Sequence, residues 1–380
     1  MRNSSEAMIL ISFPHQLVHA LAALQADRKQ RNINLDSPVT IFVWSHRWID
    51  HRADVFFIKM IRELAQLSNC TIYHLSLLER VFKFSEYRVL LKRVKSLTKI
   101  FSAKNYTSFY FSHDASADHT AQVFMQFLPN AHKICFGDPP GFLFKKYSSV
   151  QERLDDRAPG LKHWFWNTRI RDIQQWFGYD SAYVAMDMNN VSQHNLSSPI
   201  ILSKNRFIKL IHLIKINMSD LENQEKIFLE RLDYSNSDLN LLVLSNLNES
   251  KLITRENELK LYLELSHRHC ELGSTIIIKP HIASNFSFIT QLKKILSEYH
   301  IIILPEYLRS VPLEMLTLLL KQCKIISVSS ASVFLSYLYG KEKITHALTE
   351  TDIQRFFNED SCNYMINATR AITDTIHKLN

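Results

Sequence analysis

Short apolar runs rich in β-branched and aromatic residues recur along the first half of this chain, and helical or polar stretches separate them. The runs are AMILIS (7–12), VTIFVWS (39–45), CTIYHLS (70–76), TSFYFS (107–112) and HKICFG (132–137). After the first run, Leu17, Leu21 and Leu24 recur at helical spacing. Strand, loop and helix in alternation build a parallel sheet, so this half predicts a Rossmann-like domain.

The alternation resumes after a polar segment at residues 186–199. Strands predicted at 239–245, 274–280, 301–305 and 324–330 alternate with helical windows at 254–270, 286–298, 312–322 and 331–339. We take the polar segment as the linker between two Rossmann-like domains, at 1–190 and 200–345. Helices at 346–380 are expected to pack back towards the first domain. Two such domains facing each other across a cleft form the α/β architecture called GT-B, with ligands at the strands' carboxyl ends.

Composition limits the class of protein further. The 380 residues carry a formal net charge of +8, and they contain no apolar stretch of about 18 residues that could span a membrane. The apolar run MILI near the start is too short for a secretion signal, so we expect a cytoplasmic protein. The positive charge favours anionic partners such as acidic sugars or lipid head groups. No zinc-finger spacing or RNP-type motif supports binding to nucleic acid.

Several well-known site motifs are missing from the sequence. It lacks GxGxxG after the first strand, GxxxxGK[ST], HExxH, GxSxG and an Asp-x-Asp pair that would hold a divalent ion on a diphosphate. These absences argue against a dehydrogenase, a P-loop kinase, a zincin and an α/β-hydrolase.

A carboxylate follows the strand HKICFG on a stiff turn. Gly137 and Gly141 bracket Asp138-Pro139-Pro140. Proline restricts φ and glycine relaxes it, so the turn would present Asp138 rigidly at a strand's carboxyl end, where a general base belongs. The alternative is an ordinary Asp-Pro turn.

Two strand ends in the second half carry groups suited to a phosphate. Lys279 and His281 flank a proline where the strand STIII ends. Ser329 and Ser330 stand where a buried strand passes into a helix, whose free amides and dipole attract anions. Ser330 is also an N-cap candidate. Taken alone, the first pair could belong to a surface loop, and the two serines could do no more than cap the helix.

A further acid lies between these two elements. Glu314 follows Pro312 in the first turn of a predicted helix, where a carboxylate can accept hydrogen bonds from ribose hydroxyls. The helix dipole alone would also favour an acid at this position. Glu314 therefore supports a nucleotide site only together with Lys279, His281, Ser329 and Ser330.

These motifs occur in the order seen in bacterial sialyltransferases and polysialyltransferases, which the chain resembles from about residue 7 to 340. They are Pro14-x-Gln16, Gly137-Asp138 with Gly141, Lys279-Pro280-His281, Pro312-x-Glu314 and Ser329-Ser330. The segment ESKLITRENELKLYLEL also resembles that family. The resemblance implies an inverting, metal-independent GT-B enzyme without a cofactor. It would move sialic acid or a related nonulosonic acid from its CMP-activated form to a glycan hydroxyl in surface polysaccharide or lipooligosaccharide synthesis.

The resemblance also implies roles for individual residues. Asp138 matches the family's acidic base, and His281 matches the histidine that helps the CMP phosphate leave. Ser329 and Ser330 match the serines that hold this phosphate. The family's acidic-acidic-glycine turn is Gly-Asp-Pro-Pro-Gly here, which leaves the position of the base open, and its His-Pro is His281-Ile282. The remaining expected substrate contacts are Lys279 and Glu314 for the donor, and Pro14, His15, Gln16, His19 and Gly137 in the cleft.

A stripe of basic residues suggests a binding partner and not a catalytic role. On a helical reading of 86–100, Arg88, Lys92, Lys95 and Lys99 recur at three- and four-residue steps. The stripe suits an anionic membrane surface at the inner face of the membrane, or an acidic glycan, and a solvated helix face is the alternative. Two other functions stay open at this point: a GT-B transferase or epimerase that uses a UDP- or GDP-sugar, and a non-catalytic protein that binds anionic glycan or lipid.

Overall fold

The computed structural model describes residues 6–45, 70–76, 105–112, 124–125, 128–137, 179–186, 199–232, 239–281 and 284–379. The described residues form two compact units. The first ends at Leu210, and the second begins at Ile211. None of the helices in these ranges is long and apolar enough to cross a membrane.

Among the described residues, the first unit contains a seven-stranded sheet in the order β3-β2-β1-β4-β5-β6-β7, in which all strand pairs are parallel. Its strands are β1 (Glu6–Ile11), β2 (Val39–Ser45), β3 (Cys70–Ser76), β4 (Tyr106–Ser112), β5 (His132–Gly137), β6 (Ser181–Val184) and β7 (Ile200–Ile201). Helix α1 (Pro14–Gln30) follows β1. The strand order reverses at β1, as the Rossmann-like expectation requires.

Burial explains why these strands were visible in the sequence. Every residue of β1 is buried, and Met8, Phe42 and Phe109 share one core cluster. Strands buried on both faces read as continuous apolar runs rather than as alternating ones. The predicted strands in this half accordingly lie within one residue of the observed bounds.

The linker predicted at residues 186–199 does not separate the two units. Two strands that the sequence did not predict, β6 and β7, show this. Tyr183 and Val184 of β6 pair with Ile200 and Ile201 of β7. The polar segment 186–199 therefore lies between two strands of the same sheet. The first unit instead ends inside the next helix, α2 (Lys204–Asn217), at Leu210. Strands of four and two residues are too short for a periodic signal.

The second unit contains a five-stranded sheet in the order β10-β9-β8-β11-β12, also parallel throughout. Its strands are β8 (Leu239–Val243), β9 (Thr275–Lys279), β10 (His300–Ile303), β11 (Lys324–Ser327) and β12 (Ile344–His346). Its helices after α2 are α3 (Ser219–Glu230), α4 (Arg255–His269), α5 (Phe286–Ile295), α6 (Glu306–Arg309), α7 (Thr317–Gln322), α8 (Ala331–Tyr339), α9 (Glu350–Phe356) and α10 (Glu359–Lys378). The order reverses between β8 and β11, which makes this pair the topological switch point.

Two predicted details of this unit differ from the structure. The helical window 312–322 is a 3₁₀ turn at Leu313–Met315 followed by α7, because Leu316 between them has φ −82° and ψ 60°, outside the helical region. At the end of the chain, α9 packs against α4, and α10 packs against α8 and α9. The expected return of these last helices to the first domain stays a prediction.

Candidate functional site

Four strands of the second sheet end on one transverse row. Lys279 of β9 pairs with Val243 of β8, Val243 pairs with Ser327 of β11, and Ser327 pairs with His346 of β12. Each of these residues is the last one of its strand. The loops that follow the four strands therefore leave the sheet at the same level. In open α/β sheets, this carboxyl edge beside the switch point is where ligands bind.

The structure brings the predicted donor-binding residues to this edge. Lys279 and His281 lie where β9 ends, and Ser329 and Ser330 follow β11. Glu314 lies on the 3₁₀ turn and is 6% exposed. It interacts electrostatically with Lys279, which connects the turn to the strand end. Groups that are far apart in the sequence thus share one edge of a single sheet.

Lys279 is a buried cation that holds a backbone carbonyl. The residue is 8% exposed, and its Nζ atom donates a hydrogen bond to the carbonyl oxygen of Arg309 at 2.7 Å. Burial lowers the pKa of Lys279 to about 8; Glu314 opposes this shift and Arg309 adds to it. The Lys279 side chain therefore fixes the backbone of Arg309. Its expected contact with a donor phosphate stays a prediction.

Arg309 completes the support of the loop after β9. Its Nη2 atom donates to the carbonyl oxygens of His281 at 3.2 Å and Ser284 at 3.0 Å. Lys279 therefore holds the backbone of Arg309, and the guanidinium of Arg309 holds the backbone of the partly buried His281. Sequence reasoning missed Arg309, because a single arginine at the end of a short helix belongs to no recognisable spacing.

Ser329 caps the helix that begins at the carboxyl edge. Its Oγ atom accepts a hydrogen bond from the amide of Ala331 at 3.3 Å and lies 3.2 Å from the Oγ atom of Ser327. The backbone of Ser330 has φ −59° and ψ −16°, and its side chain makes no capping hydrogen bond. Ser330 occupies the expected N-cap position before Ala331, but Ser329 supplies the oxygen that accepts the capping hydrogen bond. A capping residue needs non-helical backbone angles to place its oxygen over the first turn, and Ser330 is already helical.

The Ser330 hydroxyl is not used in capping and can donate a hydrogen bond to a ligand. Within the ranges that the structure describes, it has no hydrogen-bond partner, and the residue is partly exposed. It lies at the amino end of α8, where the helix dipole favours negative charge. The two serines thus divide the work: Ser329 builds the turn, and Ser330 presents a donor group.

The loop after β1 is held by Gln16. Its Oε1 atom accepts hydrogen bonds from the amides of Ser12 at 2.7 Å and Phe13 at 3.2 Å. Its Nε2 atom donates to Ser112 Oγ, at the end of β4, at 3.1 Å. Gln16 therefore ties together the two strands that flank the reversal of strand order in the first sheet. Contact with a substrate stays a prediction for this residue.

The other predicted residues of the first unit differ in accessibility. Pro14 is buried as the first residue of α1, and Gly137 is buried at the end of β5. His15 is exposed and stacks on Phe13, with ring centroids 5.7 Å apart. His19 is 4% exposed and packs 5.2 Å from the Phe207 ring. The inner face of α1 places His19 in the core, and its expected contact with substrate stays a prediction.

Two sets of predicted residues lie outside the described residues. They are the expected base Asp138, and the basic stripe of Arg88, Lys92, Lys95 and Lys99. Among the residues that the structure does describe, no group of three or more His, Cys, Asp or Glu side chains is placed to hold a metal ion.

Comparison with known families decides the class of the protein. The profile of the alpha-2,8-polysialyltransferase family matches residues 160–349, half of the chain. The chain belongs to the alpha-2,8-polysialyltransferase family. It is thus a glycosyltransferase of the sialyltransferase type, with a nucleotide-sugar donor and a glycan acceptor. This confirms the resemblance and removes the alternative of a non-catalytic binding protein.

The matched range contains the residues of the carboxyl edge in this polysialyltransferase-family chain. Lys279, His281, Glu314, Ser329 and Ser330 all lie within 160–349. Asp138 and the loop after β1 lie before it. The family match therefore covers the carboxyl edge of the second sheet and not the loop after β1.

Solved structures show the fold. The UDP-GlcNAc 2-epimerase from Neisseria meningitidis bound to UDP-GlcNAc is 14% identical, with a TM-score of 0.54 over 98% of this chain and 100% of that one. The UDP-GlcNAc 2-epimerase from Methanocaldococcus jannaschii is 12% identical, with a TM-score of 0.47 over 86% and 79% of the two chains. A glycosyltransferase from Rickettsia africae is 11% identical, with a TM-score of 0.42 over 99% and 94%. No curated protein matches the sequence significantly. The likeness to the Neisseria structure and the two parallel sheets confirm the expected α/β fold of GT-B type.

Proposed function

We propose that this polysialyltransferase-family chain transfers sialic acid or a related nonulosonic acid from its CMP-activated form to a glycan hydroxyl, with inversion. The observation that carries the proposal is the shared row at the carboxyl edge of the second sheet. It places the loop of His281 and the serine turn of Ser329 and Ser330 at one level beside the switch point. Such an edge suits the phosphate of a nucleotide-sugar.

The chemistry of the donor fits these groups. When the acceptor oxygen bonds to the anomeric carbon, the bond from that carbon to the phosphate oxygen breaks, and CMP leaves with the electron pair. The Ser330 hydroxyl and the dipole at the amino end of α8 would stabilise this negative charge. The His281 imidazole would donate a hydrogen bond or a proton to the departing phosphate.

We propose that the transfer needs no divalent ion. A nucleoside monophosphate carries less charge than a diphosphate, and hydrogen-bond donors with a helix N-terminus can stabilise it without a Lewis acid. The sequence lacks the Asp-x-Asp pair that would position such an ion. His281 and Ser330, on the turn that Ser329 builds, would supply the stabilisation instead.

Asp138 is proposed as the base that removes the acceptor proton. In the sequence the residue directly follows Gly137, the last residue of β5. A carboxylate there can accept the hydroxyl proton as the acceptor oxygen attacks. The resemblance of the turn to the family's acidic motif supports this role.

For the basic stripe we propose an anionic surface as partner. Arg88, Lys92, Lys95 and Lys99 would add affinity for a membrane or an acidic acceptor without taking part in the chemistry. Reversing the charge of Lys92 and Lys95 should weaken binding to anionic vesicles, more at low salt than at high salt. Unchanged vesicle binding would leave the stripe as a solvated face.

Nucleotide protection tests the donor. CMP should raise the melting temperature, because a ligand at 100 times its dissociation constant stabilises the native state by about 2.7 kcal/mol. UDP and GDP at equal concentration are the controls, since the fold is shared with an epimerase that binds UDP-GlcNAc. If UDP or GDP raised the melting temperature more than CMP, the donor would carry that nucleotide instead of CMP.

The same preparation tests the need for a metal. Transfer from CMP-sialic acid should continue at full rate after chelation with EDTA. Activity that EDTA abolishes and manganese restores would contradict the proposal. Simple stimulation by divalent ions would not, because ions also screen an anionic acceptor.

A further inference from the structure

His346 lies beside the serine turn, and the resemblance assigns it no role. It is the last residue of β12 and pairs with Ser327 of β11. Its Nδ1 atom is 3.3 Å from the Oγ atom of Ser332, a buried residue in the first turn of α8. The Ser329 carbonyl is also within hydrogen-bond reach of the imidazole.

The direction of these hydrogen bonds follows from the Ser332 hydroxyl. This hydroxyl donates to the carbonyl oxygen of Ser329 at 2.8 Å, so its oxygen can only accept from His346. Nδ1 of His346 therefore carries the proton. Burial lowers the pKa of His346 to about 4, which keeps the ring neutral at physiological pH. The result is a chain of donors from His346 through Ser332 to the backbone of Ser329.

The other ring nitrogen argues against a purely stabilising role. Nε2 is buried and has no hydrogen-bond partner among the described residues. A buried polar atom without a partner destabilises the fold, so an apolar residue would serve packing alone better than histidine. What histidine adds at this position is the Nδ1 donor, aimed at the serine turn.

We propose that His346 is a positioning residue for the donor phosphate. Through Ser332 it holds the carbonyl of Ser329, and it thereby orients the Ser330 hydroxyl and the amino end of α8 towards the phosphate. The inference rests on the proposed function of this turn. His346 itself need not touch the donor: a small displacement of groups that bind a transition state is enough to lower the rate.

Four variants test the inference: His346→Ala, His346→Asn, Ser332→Ala, and the double variant His346→Ala with Ser332→Ala. Each is assayed for nucleoside monophosphate affinity by calorimetry and for melting temperature. Each single alanine variant should weaken binding about 5- to 20-fold, as expected for the loss of one supporting hydrogen bond. The double variant should be no weaker than the singles, because both remove the same chain. His346→Asn should bind within about threefold of wild type, since its amide can donate where Nδ1 does.

The outcomes separate positioning from packing. Lower melting temperatures with unchanged nucleotide affinity would overturn the inference, as would additive effects in the double variant. His267→Ala is the matched control, because that histidine pairs at the surface with Glu298 at 2.9 Å, and its affinity should not change. If His346→Ala fails to fold, Ser332→Ala compared with His346→Asn carries the same test.

The choice of nucleotide for the titrations distinguishes the proposed CMP donor from the proposed role of His346. Wild type is first titrated with CMP, UMP and GMP, and the variants are compared with the tightest of the three. A preference for UMP or GMP would overturn the CMP donor and still permit the test of His346. Binding of none of them by wild type would overturn both proposals.

Discussion

Arg309 holds the backbone of His281 through a hydrogen bond from Nη2 to the carbonyl oxygen at 3.2 Å. The same nitrogen donates to the carbonyl of Ser284 at 3.0 Å, and the Arg309 carbonyl in turn accepts from Lys279. Arg309 therefore holds the loop that carries the imidazole at His281 and Ser284, and Lys279 holds the backbone of Arg309. A rigid loop matters here, because a leaving group is stabilised only by donors that are already in place.

Replacing Arg309 with leucine should uncouple the loop. We expect the turnover number to fall about 10- to 100-fold, together with weaker nucleotide binding, because misplacement of a catalytic group by about 1 Å has effects of this size. Arg370→Leu is the control: it removes an exposed ion pair with Glu350 and should leave kinetics unchanged. Steady-state kinetics with CMP-sialic acid would show both results. Normal kinetics in Arg309→Leu would mean that catalysis does not depend on the hydrogen bonds from Arg309 to the loop after β9.

The two serines should respond differently to alanine. Ser329→Ala removes the cap of α8 and should lower the free energy of unfolding by about 0.5–2 kcal/mol. Ser330→Ala removes a hydroxyl that has no partner in the described ranges, so stability should barely change while CMP affinity falls. Chemical denaturation and calorimetry on both variants measure the contrast. Equal stability losses would contradict the division of labour.

Asp138→Asn should separate chemistry from donor binding. The amide keeps the size of the side chain and removes its basicity, so kcat should fall by about 10²–10⁴ while CMP affinity hardly changes. The measurement is turnover and CMP titration on the same protein. Near-normal kcat would place the base elsewhere, and a parallel loss of CMP affinity would show that the turn also supports the donor side.

A buried ion pair should dominate the stability of the region around α7. Lys215 Nζ lies 3.2 Å from Glu225 Oε2, and the two side chains are 7% and 0% exposed. Glu225 Oε1 also accepts from the amide of Leu319 in α7. Lys215→Met leaves a buried carboxylate uncompensated and should lower the free energy of unfolding by about 3–5 kcal/mol.

The neighbouring exposed pair on α3 is a matched control for the ion pair. Lys226 Nζ and Glu222 Oε1 are 3.0 Å apart, and both side chains are about half exposed. Lys226→Met should change stability by no more than about 0.5 kcal/mol, since exposed helical pairs contribute little. Urea denaturation of the two variants gives the comparison. Similar losses in both would show that burial of Lys215 and Glu225 does not set the effect.

Lys279 should make stability depend on pH in the alkaline range. Its pKa is lowered by burial to about 8, whereas the unfolded chain keeps the ordinary value of 10.5. Between these values the unfolded state binds the extra proton, so the stability of wild type rises as the pH is raised. The gain is about 1.4 kcal/mol for each unit by which the pKa is depressed.

The comparison variant is Lys279→Met, which lacks this titration. The difference in free energy of unfolding should move in favour of wild type as the pH goes from 7 to 10. Denaturation at four pH values would show it, because other titrating groups are common to both proteins. A difference that is independent of pH would mean that Lys279 titrates normally in the folded protein.

Much of the candidate site could be predicted from sequence, because its residues stand at the ends of strands or directly after them. Lys279, His281 and Ser329 follow apolar runs that are easy to recognise. Arg309 and His346 could not be found in this way. Arg309 reaches the site through a hydrogen bond to a loop 25 to 28 residues away, and His346 reaches it through the pairing of β12 with β11. Neither relation leaves a local pattern.

The sequence by itself determined the α/β class and the positions of the long strands, because parallel strands buried on both faces must be continuous apolar runs. Tertiary structure decided which strands are neighbours, and therefore that Ile200–Ile201 close the first sheet beyond the polar segment at 186–199. It also decided that Lys279, Ser327 and His346 end on one row. Register and capping depend on contacts between residues distant in the chain and on backbone angles such as those of Ser330, and local periodicity encodes neither of these.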